Sequence, residues 1–128
     1  MIILGFVLAG LAAVIHVYIF VMESLTWTSP RTRRTFGTTE DEARVTKSMA
    51  FNQGFYNLFL ALSVFIGIVV FGTGGTAVGA TLVFVGAGSM ALAALVLLLS
   101  NPALRRAALV QGLLPTLGVI ALAVGLAA

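Results

Sequence analysis

The sequence predicts an all-α polytopic membrane protein, a four-helix transmembrane bundle forming a single domain of 128 residues. Three observations predict this class: 60% of the residues are hydrophobic, only 9% are charged, and the apolar residues fall into four long runs. So few charges cannot cover the surface of a soluble globule. The predicted spans are about 2–27, 40–71, 77–100 and 104–127. Each is long enough to cross ~30 Å of hydrocarbon as a helix.

The first two spans are separated by the longest polar segment of the chain. The first span is predicted to end near Trp27, because Pro30 disfavours helix in the residue before it. The second helix is predicted to begin near residue 40 with a capping box, in which Thr39 and Glu42 satisfy each other's backbone N–H groups. It then extends through the cytoplasm and enters the bilayer near Met49.

The last two spans are rich in small residues. Residues 72–75 are predicted to form the tight turn before the third span, and Asn101 and Pro102 are predicted to end it. The glycines of these spans indicate close helix association, since small residues let membrane helices approach. Pro115 is predicted to bend the fourth span and to free a carbonyl near Gln111.

The basic residues lie close to the first and third loops, which share one side of a four-span protein. They are Arg31, Arg33, Arg34, Arg44, Lys47, Arg105 and Arg106. The positive-inside rule predicts that these loops are cytoplasmic and both termini external, in a bacterial inner membrane. The lipid bilayer is therefore the predicted partner, and nucleic acid is not. The absence of cysteine excludes disulfides and thiolate-held clusters, and no cofactor is predicted.

Polar side chains within the spans gather near the charged loops. Buried polar groups are costly in hydrocarbon and usually mark a site, so a cytoplasm-facing polar pocket is predicted. In the first span, residues 16, 20, 23 and 27 are spaced 4, 3 and 4 and share one helical stripe. The proton-transfer candidates are His16 and Glu23. The predicted ligand-binding residues are Phe20, Trp27, Asn52, Gln53, Tyr56, Asn57 and Gln111.

Helix rise places these residues in two predicted tiers. An upper tier with Glu23, Asn52, Gln53 and Gln111 lies roughly 6–8 Å below the cytoplasmic surface, and a deeper tier with His16, Tyr56 and Asn57 lies at roughly 12–17 Å. His16 and Glu23 are about 10.5 Å apart along the helix axis. Metal ligands must lie within ~2 Å of the ion, so no metal site is predicted.

Three features together resemble a known family. They are the series from His16 through Glu23 to Trp27, the segment 52–57 (Asn-Gln-Gly-Phe-Tyr-Asn), and Gln111 followed by a proline. This combination resembles the domain of unknown function 1304, a family of small bacterial membrane proteins. The resemblance implies a four-helix integral membrane protein and the same site residues, and it implies no established activity.

Three functions stay open at this point, and so does the question whether the protein is an enzyme. The first is a pocket that binds a lipid-soluble or amphipathic small molecule, with proton transfer by His16 or Glu23. The second is a structural or accessory subunit whose glycine-rich faces pack on a partner or on a second copy. The third is a proton-coupled transporter similar to the small multidrug exporters.

Overall fold

The chain is helical throughout. A computed structural model describes residues Met1–Ala128, with five α-helices and no strand. The α-helices are α1 (Ile2–Phe20), α2 (Pro30–Phe36), α3 (Glu40–Gly72), α4 (Thr76–Ser100) and α5 (Arg105–Ala127). A π-helical turn, Val21–Leu25, continues α1, and a short 3₁₀ turn, Pro102–Leu104, precedes α5. The predicted all-α class is confirmed.

Four segments are long and apolar enough to cross a membrane. They are Ile2–Leu25, Glu40–Gly72, Thr76–Ser100 and Pro102–Ala127. The chain therefore has the architecture of a multi-pass membrane protein. The 33 residues of α3 would span about 50 Å, which exceeds the ~30 Å hydrocarbon core. The helix α3 is therefore longer than one crossing requires.

A capping box starts α3, as the sequence predicts. The Thr39 hydroxyl accepts a hydrogen bond from the Glu42 backbone N–H at 3.3 Å. The Glu42 carboxylate accepts one from the Thr39 backbone N–H at 2.8 Å. These bonds satisfy backbone donors that have no partner inside the helix. The end of α4 was also predicted: the helix stops at Ser100, directly before Asn101 and Pro102.

The sequence prediction missed α2, which occupies part of the expected loop. Ser29 caps this helix by accepting a hydrogen bond from the Thr32 backbone N–H at 3.3 Å. Pro30 occupies the first helical turn, where its missing N–H costs nothing. Gly37, in the left-handed conformation with φ 67°, ends the helix. The proline that was predicted to end one helix therefore also begins the next.

The long helices form a ring in which α1 and α4 each pack between α3 and α5. The buried centre consists largely of small side chains: Ala9, Ala12, Ala13, Ala61, Val64, Val83, Ala87, Met90 and Leu122. Glycines bring the backbones together. A Cβ on Gly5 would lie 2.7 Å from the backbone nitrogen of Leu122, and one on Gly118 would lie 2.9 Å from that of Ala9. Close packing of this kind is what holds membrane helices together.

Candidate functional site

A buried carboxylate joins α1 to α3 near the end of the bundle at which α2 lies, here called the charged end. Glu23 is 8% exposed. Its Oε2 accepts a hydrogen bond from the Asn57 side-chain amide at 2.8 Å. The same amide nitrogen donates to the Gln53 carbonyl oxygen at 3.1 Å, which is feasible because an amide nitrogen carries two hydrogens. Two of the predicted site residues are thus in direct contact.

The π-helical turn determines which way Glu23 faces. Within Val21–Leu25 the ladder widens, and the Thr26 N–H donates to the Val21 carbonyl five residues earlier at 3.0 Å. In an uninterrupted α-helix, Glu23 would share the face of His16, seven residues before it. A π turn changes the angular position of the residues within and after it, and such turns are frequent at functional sites. Glu23 consequently reaches Asn57.

His16 lies on a different side of α1. It is 2% exposed, and its Nδ1 lies 2.9 Å from the carbonyl oxygen of Ala12. Because a carbonyl only accepts, Nδ1 carries the proton of this hydrogen bond. Ala9, seven residues earlier on the same face, lies against the backbone of α5. Continuing that antiparallel register places Gln111 level with His16.

These positions correct the predicted tiers. Asn57, predicted to lie beside His16, binds Glu23 instead. Tyr56, predicted as the phenol partner of His16, is 67% exposed, and the one hydrogen bond of His16 goes to Ala12. The predicted stripe from His16 to Trp27 is broken as well, because the π turn interrupts it.

The predicted tiers assume that Trp27 and Ser48 mark the same level, and the structure aligns α1 with α3 differently. The structure instead sets Ser24 beside Gly54, and the Ser24 hydroxyl donates to the Phe51 carbonyl at 2.8 Å. A Cβ on Gly54 would collide with the Ser24 hydroxyl, so glycine is required for this approach. The shift is about three residues, or ~4.5 Å along the axis.

Aromatic side chains cover the neighbouring surface of α3. Phe20 packs edge-to-face on Phe55 with ring centroids 5.1 Å apart. Phe51 and Phe59 continue the row on either side of Phe55, at 5.0 and 6.2 Å. The hydrogen-bonded pair of Glu23 and Asn57 therefore lies next to an apolar surface formed by these phenylalanines.

An open cavity of about 370 Å³ adjoins this region at the charged end. Its lining residues are Trp27, Gly37, Thr38, Glu42, Thr46, Met49, Ala50 and Gln53. The Trp27 indole N–H donates to the Thr46 hydroxyl at 3.1 Å, and its ring packs at 5.0 Å from Phe36. The volume is within the range of small-molecule sites. Trp27 and Gln53 are the predicted site residues that line it.

Sequence reasoning missed the contribution of the segment between α2 and α3. Thr38 lines the cavity, and its hydroxyl is buried without a hydrogen-bond partner. Ser29 followed by Pro30 is typical of a helix start. This pair could have predicted a short helix between the first two spans. The burial of the Thr38 hydroxyl could not have been predicted in this way, because it depends on the tertiary fold.

The remaining predicted residues lie outside this group. Asn52 and Tyr56 are exposed on α3 and do not line the cavity. Gln111 is half-buried on α5. Pro115, four residues later, has no N–H, so the Gln111 carbonyl lacks its usual helical donor.

The family prediction is confirmed. The family model described as "protein of unknown function (DUF1304)" matches residues 10–123. Because this match covers most of the chain, the protein belongs to the DUF1304 family. No curated protein and no solved structure matches the chain. The family name carries no activity, so a function has to be argued from the site.

Proposed function

We propose that this DUF1304 protein binds an amphipathic small molecule or lipid in the cavity beside Trp27. The observation that carries the proposal is the mixed lining of the cavity. Thr46 and Gln53 supply polar groups beside the apolar side chains of Trp27 and Met49. A ligand with a polar head and an apolar tail matches a site lined in this way.

The position of the cavity favours such a ligand. It lies beside the first part of α3, which would project past the hydrocarbon because α3 is longer than one crossing. The polar rim of the cavity would then lie next to water, and its apolar side would continue along the exposed row of α3. Met49 is 63% exposed and Phe59 is 57% exposed on this helix. Gln53 supplies an amide that can both donate and accept. The head would bind at the rim, and the tail would lie along α3.

Glu23 is the better of the two proton-transfer candidates. The Asn57 amide links its carboxylate to the carbonyl of Gln53, whose side chain lines the cavity. Only Oε2 is held by Asn57, so Oε1 is left to exchange a proton. His16 faces α5 and has no such link to the cavity. Proton transfer to a bound molecule is therefore proposed for Glu23.

Trp27 makes the binding proposal directly measurable, because it is the single tryptophan of the chain. Purified protein is titrated with single-chain amphiphiles, and the emission of Trp27 is followed. Gln53→Leu should weaken binding about 2–10-fold, the effect of one hydrogen bond. Asn52→Leu, which changes a neighbouring exposed amide outside the cavity, is the matched control and should leave the affinity unchanged.

Three outcomes would contradict the proposal. The first is the absence of any Trp27 response to the amphiphiles. The second is an equal loss of affinity in Gln53→Leu and Asn52→Leu. The third is flux across proteoliposomes driven by a pH gradient, which would favour the transporter. If Gln53→Leu alters the assembly of a larger complex and not amphiphile affinity, the accessory role is favoured.

A further inference from the structure

An open groove runs between α4 and α5 on the outer surface of the bundle. It encloses about 180 Å³ and is bordered by four leucines, of which Leu109 and Leu113 are more than half exposed: Leu95, Leu98, Leu109 and Leu113. Its one polar side chain is Thr116, whose hydroxyl donates to the Gly112 carbonyl at 2.7 Å. The groove therefore presents an apolar surface whose single hydroxyl proton is already used. No residue lines both this groove and the cavity beside Trp27.

Two arginines lie at the charged end of this groove. The helix α4 begins beside the end of α3, where Gly79 meets Phe71, and it runs back along α3, so that α5 begins at the charged end. Arg105 precedes Leu109 by one turn on the same face of α5, about 6 Å along the axis. Arg105 and Arg106 are both exposed. A molecule in the groove can therefore reach their guanidinium groups without entering the bundle.

Neither of these arginines has an acidic partner. The ion pairs of the protein are formed by Arg33 and Arg44 with acids in the first turn of α3, and the first turn of α5 carries no acid. Basic residues at the end of a membrane-spanning segment attract anionic lipid headgroups. A guanidinium also offers two parallel donors to phosphate oxygens. The charge of Arg105 and Arg106 thus complements a phosphate.

We propose that this groove binds an anionic glycerophospholipid of the surrounding bilayer, with its phosphate on Arg105 and Arg106 and one acyl chain between α4 and α5. From Arg105 to Thr116 the site extends about 16 Å along α5. This is close to half of the ~30 Å hydrocarbon core, which is the depth of a single leaflet. The site is separate from the cavity beside Trp27 and goes beyond the function proposed for that cavity.

The test compares two lipids on the purified protein in a maltoside detergent, which carries no phosphate. Phosphatidylglycerol and phosphatidylcholine with the same acyl chains are titrated, and native mass spectrometry counts the lipids bound to the intact protein. Phosphatidylglycerol should bind at least about tenfold more tightly, because two arginines favour the lipid with net negative charge. Phosphatidylcholine has the same phosphate and chains, so it measures binding without that charge.

A double variant assigns the preference to the two arginines. Arg105→Gln with Arg106→Gln should lower the affinity for phosphatidylglycerol to that for phosphatidylcholine. Arg31→Gln with Arg34→Gln is the matched control, because these two arginines are also exposed and without an ion pair but lie on α2. The control should keep the tenfold preference.

A second pair of variants tests the groove itself. Ala91 lines the groove, so the ring of Ala91→Phe takes the space of the acyl chain and should weaken the binding of both lipids. Ala93→Phe places the same ring at an exposed position of α4 outside the groove and should leave both affinities unchanged. If Ala91→Phe does not fold, Ala91→Leu fills less of the groove and should still weaken both.

Three results would overturn this lipid site. Equal affinity for the two lipids removes the role of the arginines. Equal losses in the two arginine double variants show a diffuse charge effect and remove the assignment to α5. Equal affinities in the two phenylalanine variants remove the groove. None of these variants changes a residue of the cavity beside Trp27, so the response of Trp27 to amphiphiles tests the proposed function separately.

Discussion

The two ends of the bundle differ in the contacts that join their helices. At the end of the 73–75 turn, helices meet backbone to backbone, and a Cβ on Gly79 would collide with the backbone of Phe71. At the charged end, α1 and α3 meet through the hydrogen bonds of Ser24 and of Glu23, and an open cavity lies beside them. Tight packing at one end holds the helices in register, so the other end can keep polar groups and space.

The largest expected effect breaks the tightly packed end. Gly79→Leu should lower the free energy of unfolding by about 3 kcal/mol, because the added side chain has to displace the backbone of α3. Gly88→Leu on the same helix is the control, since a Cβ there meets nothing within 4 Å. Its effect should stay within about 0.5 kcal/mol. Denaturant unfolding in detergent measures both, and similar losses in the two variants would refute the contrast.

The next largest effect concerns the hydrogen bond between Glu23 and Asn57 at the charged end. A double-mutant cycle with Glu23→Ala and Asn57→Ala should give a coupling free energy of about 1 kcal/mol, the range of hydrogen bonds between membrane helices. The same cycle with Asn52→Ala in place of Asn57→Ala should give none, since Asn52 is exposed and does not contact Glu23. Additive effects of Glu23→Ala and Asn57→Ala on unfolding would contradict the contact.

The smallest effect concerns the wall of the cavity. Thr46→Val removes the acceptor of the Trp27 indole and should cost about 0.5 kcal/mol, with a shift in tryptophan emission. Thr81→Val is the matched control, because each hydroxyl donates to the carbonyl four residues earlier. The control should lose less stability and keep the emission of Trp27. An unchanged emission in Thr46→Val would place the indole elsewhere.

Local features of the chain were predictable because they depend on neighbouring residues alone. The capping box at Thr39 and the end of α4 at Ser100 follow from side chains within four positions. The helix α2 was missed because Pro30 was interpreted only as a terminator. The π turn at Val21–Leu25 was missed because all five of its residues are compatible with an ordinary α-helix, and nothing in their order indicates an inserted residue.

The sequence predicted which residues belong to the candidate site, but it did not predict which of them contact one another. Glu23 and Asn57 were both expected in it, and so were Trp27 and Gln53. Their partners depend on the offset between α1 and α3, which the contact of Ser24 with Gly54 sets. Counting residues from a presumed membrane surface cannot give that offset, because it treats each helix separately.

The amino-acid sequence by itself determined a helical membrane protein with four spans and one charged end, because hydropathy, length and charge act along the chain. Only the tertiary structure decided that Glu23 meets Asn57, that His16 turns toward α5, and that the segment after α2 lines a cavity. These outcomes depend on helix register and on the π turn, which arise from contacts between residues far apart in the sequence.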